Sequence, residues 1–402
     1  MKSKASPIRE AERLSWIDAA RGLAILGIFM VNVPAFNAPY FLYGGAESAW
    51  PSSVDRTVQS IIDIFFQASF YTLFSFMFGF GLQMMKERLE EKGISYRPIL
   101  FRRLIVLIAF GLVHAFLIWH GDILLTYGVF GLVLFAFFNA KPRTLLAWGY
   151  GMLAFLVIPL TLSLYAIRNQ LGGFVNQDAI RESLENYGSG SFLVILEQNW
   201  SDWAYANSPG NLPFLALSLI PMFLFGMYVC RKKWLHNPEA HRSSILKVWL
   251  ITGLLFLVFK AGPYMIGNPE WLQLAQDNVG GSASAVFYVL SVTLAFRTSA
   301  GSKLLHPLSW VGRMSLSNYI FQSLFSFILF YSVGFGLYGE VSPLFSMLIV
   351  LTVFTIQIAL SKLWLKSFRY GPLEWLWRTL TYGKKQKLKR IPAAASEEKG
   401  VQ

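Results

Sequence analysis

"GLVHAFLIWHGDILLTYG", residues Gly111–Gly128, sets apolar flanks around two histidines and an aspartate. An ionisable side chain inside a membrane helix costs about 2.5–3.5 kcal/mol on insertion scales, so it faces protein or water rather than lipid. Whether His114, His120 and Asp122 stand in a bilayer decides how the whole chain folds.

The rest of the chain places them there. Of 402 residues, 54% are hydrophobic and only 14% charged, and the mean hydropathy is +0.47. A soluble chain carries about 25% charged residues. Apolar stretches recur at close to the roughly 18–20 residues that cross the hydrocarbon core. The expected fold is all-α, a polytopic membrane protein of about ten transmembrane helices. The spans fall at roughly 18–38, 60–85, 102–119, 122–139 and 144–167, then 211–230, 244–266, 280–297, 314–336 and 343–366. Only "HGD" separates the third from the fourth, which predicts a tight helical hairpin.

Charge fixes the orientation. Of 35 lysines and arginines, only Arg56, Arg168, Arg181 and Lys260 fall away from alternate connections beginning with the N-terminus. Basic residues stay on the cytoplasmic side, so the chain runs N-in and C-in. The net charge of +13 then reads as membrane orientation and implies no nucleic-acid partner. The division expected is a cytoplasmic segment 1–16, a transmembrane domain 17–366 and an amphipathic, basic cytoplasmic tail 367–402. The opening "MKSKASPIREAERLSW" has no apolar core and no small-residue cleavage site, so it is not read as a cleaved signal. One external segment, 168–210, has helical spacing and reads either as an interfacial amphipathic helix or as a cap over an outward-facing cavity. Cys230 is the single cysteine and excludes an internal disulfide.

Depth along each span sorts the polar groups. The outer third collects Asn32, Asp63, Gln67, His114 and Lys260, with His120 and Asp122 at its rim; the inner part collects Asp18, Arg21, Asn318 and Gln322. His114 has the chemistry of a general base near neutral pH. Asp122 would either orient that imidazole or cap the next helix. Lys260 needs an acidic partner, and Asp63 is nearest in depth. Asp18 and Arg21 stand one turn apart and form either an ion pair or, with Arg102 and Arg103, a cationic inner entrance for a phosphate. There is no P-loop, no GxSxG elbow and no zinc-ligand spacing, so no metal site is expected.

Four stretches together carry a resemblance: "IDAARGLAILGIFMVN" at 17–32, "GLVHAFLIWHGDILLTYGVFGL" at 111–132, "VGRMSLSNYIFQS" at 311–323 and "GPLEWLWRTLT" at 371–381. The chain resembles the YeiB family of bacterial inner-membrane proteins. More distantly it is similar to transmembrane acyltransferases such as the heparan glucosaminide N-acetyltransferases, through its first two spans, with Asn32 at the matching asparagine. Those enzymes carry their active histidine in the external loop after that asparagine. Here 33–62 contains no histidine, and His114 is the nearest substitute on that side.

The resemblance implies a multipass protein of the bacterial plasma membrane and an acyl group moved from cytosolic acyl-CoA to an extracytoplasmic acceptor. Arg21, Arg102 and Arg103 would meet the CoA phosphates, with His114, Asp122 and Asn32 at the outer end. Acyl-CoA would be a co-substrate, and no resident cofactor is expected. The alternative is a solute or proton-coupled transporter. Expected partners are the lipid bilayer and an extracytoplasmic acceptor or solute; self-association into a homo-oligomer stays open.

Overall fold

The computed structural model describes residues 13–390. Lys2, Lys4, Arg9 and everything beyond Arg390 lie outside the described residues. Ten apolar helical segments stand where ten spans are expected. Eight are long enough to cross a membrane, and two are shorter, Leu124–Ala136 and Ser315–Phe330. The protein is an all-α polytopic membrane protein; among the described residues the only β pairing is an isolated bridge between Phe368 and Lys389.

The α-helices of ten residues or more are numbered in chain order. They begin with α1 Ser15–Asn37, α2 Ser53–Phe65, α3 Ser69–Glu91, α4 Arg97–Leu117 and α5 Leu124–Val133. Next come α6 Pro142–Ala166, α7 Gln177–Ser189, α8 Phe192–Ala206, α9 Leu212–Arg231 and α10 Arg242–Phe256. The last five are α11 Gly281–Ala295, α12 Ser299–Arg313, α13 Ser315–Phe330, α14 Pro343–Ser367 and α15 Pro372–Tyr382. Helices α6 and α10 turn Trp148, Phe155, Leu162, Leu250 and Leu254 outward. In water such faces would be costly; in lipid they are the solvent-matched surface.

Two crossings hold the centre, and each is built on a pair of glycines. A Cβ on Gly22 of α1 would lie 1.9 Å from the Leu308 carbonyl oxygen, and one on Gly312 of α12 would lie 1.8 Å from that of Asp18. Gly79 of α3 and Gly226 of α9 meet Phe223 and Phe76 in the same way, at 2.1 and 1.9 Å. Missing side chains let backbones touch, which is how membrane helices associate without a hydrophobic drive.

Two elements differ from the sequence reading, and the external segment takes a definite form. The second span is broken: residues 66–68 form a turn between α2 and α3, with Ala68 at φ 59°. The amphipathic α2 therefore approaches separately. Residues 299–313 form α12, which the sequence leaves as a connection because Lys303, His306 and Pro307 interrupt its apolar run. The external segment folds as the hairpin α7–α8, with Tyr187, Gln198 and Asp202 buried. Its exposed Phe192, Leu193 and Trp200 keep an apolar outer face.

The even count of segments carries an expected result. A reporter fused after Lys389 reads cytoplasmic, and one inserted at Gly172, in the exposed loop before α7, reads external. An external reading at Lys389 would invert every statement of depth below.

Candidate functional site

Helix α4 ends at Leu117, and the chain turns through 118–123 into α5. That turn brings Asp122 back under His114. The Asp122 carboxylate does both jobs open to it: Oδ1 lies 2.8 Å from His114 Nδ1, and Oδ2 accepts the Leu125 amide at 2.6 Å. Both side chains are fully buried, 1% and 0% exposed. A carboxylate can only accept, so Nδ1 carries the proton and Nε2 is left as acceptor. Its partner is the Ser323 hydroxyl of α13, at 2.8 Å. The result is a hydroxyl, an imidazole and a carboxylate in series, the geometry in which a base activates a hydroxyl and an acid orients the base. Ser323 was not among the sequence candidates.

Below this group opens a cavity of about 730 Å³. Its wall runs along α3 from Arg88 up to Phe74, roughly 21 Å at 1.5 Å per residue, against a core of about 30 Å. The mouth is cationic: Arg21, Arg103 and Arg378 converge there, with eight Lys and Arg side chains to four carboxylates around the whole lining. Arg13 takes Asp18 in a two-pronged pair at 3.0 and 2.9 Å, leaving Arg21 a looser contact at 3.4 Å. Arg103 and Arg378 have no carboxylate partner among the described residues; Arg103 lies 3.6 Å over the Trp377 ring and Arg378 4.7 Å over Tyr370. Burial, then the charge of Arg13, pulls the Arg378 guanidinium below its usual range. Higher up the lining turns apolar, with Ile25, Ile28, Met77 and Phe78, and it closes on Ile123, Tyr127 and Tyr319. Tyr319 packs its ring 5.0 Å from that of His114, and its buried hydroxyl has no acceptor for its proton. His114 thus stands one side chain behind the cavity tip.

The mouth is shaped by α15, part of the amphipathic tail. Glu374 holds the N-terminus of α13 from outside that helix: Oε1 accepts the Leu316 and Ser317 amides at 2.7 and 3.1 Å, and Oε2 accepts the Ser317 hydroxyl at 2.6 Å. Burial pushes its carboxyl up, while the Ser317 hydroxyl and the amides pull it down. Trp377 donates to the Arg103 carbonyl at 3.0 Å.

On the outer side, His120 belongs to the turn after α4 and not to the helix itself. Its Nδ1 lies 3.7 Å from Asp202, beyond hydrogen-bond reach. Burial lowers its basicity, and Asp202 partly offsets that. Asp202 instead accepts the Tyr43 and Tyr187 hydroxyls at 2.7 and 2.8 Å. Trp119, buried in the turn after α4, stacks 4.0 Å from Phe36.

The remaining sequence candidates separate. Asn32 is half-buried and its side chain makes no hydrogen bond to His114 or Asp122. Arg102 is exposed and only Arg103 lines the cavity, because neighbours on a helix point about 100° apart. Gln67 lies in the α2–α3 turn. Lys260, fully buried, reaches Asp63 at 3.4 Å and also Asp277 at 3.1 Å. Asn318 and Gln322 tie α13 to α14 through Ser361 at 3.1 Å and Gln357 at 2.8 Å. Sorting by depth had set Gln322 apart from His114, yet its neighbour Ser323 touches that ring. The reason is that α13 stops at Phe330, short of the expected 336. Among the described residues, no three His, Cys, Asp or Glu side chains gather to hold a metal ion.

A family model described as a protein of unknown function (DUF418) matches residues 229–384, which takes in Lys260, Ser323 and Glu374 and stops short of His114. The uncharacterized protein YxaH of Bacillus subtilis is 37% identical over 396 residues, 94% of this chain and 97% of that one. The uncharacterized protein YeiB of Escherichia coli is 30% identical over 390 residues, 92% of this chain and 96% of its own. No solved structure matches. Likeness at that level along nearly the whole length shows that the chain belongs to the YeiB family.

Proposed function

We propose that the protein is a transmembrane acyltransferase of the bacterial plasma membrane. It takes an acyl group from cytosolic acyl-CoA and delivers it to an acceptor hydroxyl or amine outside. The observation that carries this reading is one cavity with a cationic mouth, an apolar shaft and a tip one side chain short of His114. An acyl thioester of CoA has the same order of parts, phosphates first and acyl chain last. His114 is the general base, oriented by Asp122, and the guanidinium groups of Arg21 and Arg103 take the phosphates.

The contact at Asp18 makes the test clean. Arg13 already satisfies that carboxylate, so Arg21→Gln leaves the fold intact. Calorimetric titration of the detergent-solubilised variant with acyl-CoA is expected to show affinity reduced at least about 10-fold, the scale of one charge-assisted contact. Unchanged affinity in folded protein would return Arg21 to a structural role.

One observation favours a second reading, proton-coupled solute transport. Lys260 and Asp277 each sit in a π-helical turn, Leu257–Ala261 and Gln276–Gly280. Broken helices and intramembrane charge are what a transporter needs. Vesicles that release CoA and acylate an external acceptor support the first reading; vesicles that move a solute without acyl transfer support the second.

A further inference from the structure

We propose that Ser323 is an acyl carrier, holding the acyl group covalently between donor and acceptor. This rests on the acyl-transfer reading and adds a step to it. Three observations converge. Ser323 Oγ lies 2.8 Å from His114 Nε2, the ring nitrogen that Asp122 leaves free to accept. Its helix also supplies Tyr319, one turn earlier, to the tip of the donor cavity. The Tyr319 hydroxyl is buried beside the Ile123 amide with no acceptor for its own proton, so it is free to donate to a thioester oxygen as negative charge develops there.

The chemistry balances in two steps. Ser323 Oγ attacks the thioester carbonyl while its proton passes to His114 Nε2. The tetrahedral adduct collapses, the C–S bond breaks, and the proton goes to the departing sulfur. An oxygen ester on Ser323 and free CoA thiol result. In the second step an acceptor hydroxyl or amine attacks that ester and gives its proton to His114. The C–O bond to Ser323 breaks, and the serine recovers the proton.

The closed site explains why a covalent stage is useful. Donor and acceptor arrive from opposite faces, and His114 and Ser323 are both shut off from the surface, 0% and 1% exposed. Direct transfer requires both approaches open at once, which leaves a path for water and protons. An acyl-serine lets the inner side close before the outer one opens.

The test uses purified protein with radiolabelled acetyl- and palmitoyl-CoA, no acceptor present, in a Cys230→Ser background. That substitution removes the single cysteine as a competing site. The expected result is one label per chain, released CoA thiol in equal amount, and fragmentation placing the acyl group on Ser323. The ester should resist neutral hydroxylamine. Ser323→Cys is expected to form a thioester that hydroxylamine cleaves, a gain of signal that does not depend on losing activity. Ser323→Ala carries no label, and its transfer to the acceptor falls at least about 100-fold. Acceptor-dependent CoA release with no label on the wild type, and transfer by folded Ser323→Ala within threefold of wild type, would overturn the acyl-serine and leave one-step transfer standing. No CoA release from either donor, with or without acceptor, would overturn both.

Discussion

His114→Gln is expected to insert and fold normally and to transfer acyl groups at least about 100-fold more slowly than wild type, the usual scale of general base catalysis. Glutamine is close to histidine in volume, and its amide can donate to Asp122 in place of Nδ1. What it cannot do is take a proton from Ser323 or from an acceptor and return it. The neighbouring groups sharpen the comparison. His120→Gln loses far less, because His120 touches neither Asp122 nor Ser323, and its nearest carboxylate, Asp202, is 3.7 Å away. Asp122→Asn is expected to fall with His114→Gln: its amide can donate to Nδ1, which moves the ring proton to Nε2, the wrong nitrogen. The assay is labelled acyl transfer in vesicles at matched levels of each variant. A wild-type rate from His114→Gln would remove His114 as the base.

Much of this molecule could be read from its residues, and the gaps have physical causes. The spans were legible because lipid demands long apolar helices and permits few charges, so each charge stands out. His114, Asp122 and the Lys260–Asp63 pair were visible for that reason. Ser323 was not, because a membrane helix usually satisfies a hydroxyl on its own backbone. Ser75 bonds the Tyr71 carbonyl at 2.8 Å, Ser218 that of Phe214 at 2.9 Å and Thr355 that of Leu351 at 2.7 Å. Nothing in the sequence separates Ser323 from these. Glu374 was hidden differently: in a basic amphipathic tail a carboxylate looks like a solvated face, and only the α13 amides reveal it as a cap. The spans read at 244–266 and 280–297 leave Asp277 in the connection between them, but the apolar segment containing it begins at Glu270. Gln276 and Asn278 are buried against protein, and hydropathy averages over all faces alike.

The half-buried Asp277 supports the second large effect: Lys260→Met is expected to lose about 3–5 kcal/mol of stability, the range for removing one partner from an ion pair whose cation is buried. Lys260 is 0% exposed, its ammonium 3.1 Å from Asp277 and 3.4 Å from Asp63. Asp63 is held further by the Tyr264 hydroxyl at 2.7 Å and the Gln276 amide at 2.9 Å. Gly280 leaves room for the lysine stem, since a Cβ there would lie 2.9 Å from Lys260 Cγ. Methionine fills the same channel, so packing is kept and only the charge goes. Two carboxylates, 28% and 24% exposed, then face each other without a cation. If charge is the cause, neutralising them repairs the loss: Lys260→Met with Asp63→Asn and Asp277→Asn should recover at least half of it, measured as the midpoint of unfolding in detergent. The same triple variant separates a structural tie from an active group. Recovered stability with full acyl transfer makes the cluster a brace between α2 and the two π-helical turns. Recovered stability with transfer lost makes its charges part of the reaction cycle. A Lys260→Met protein as stable as wild type would show that the pair contributes nothing net.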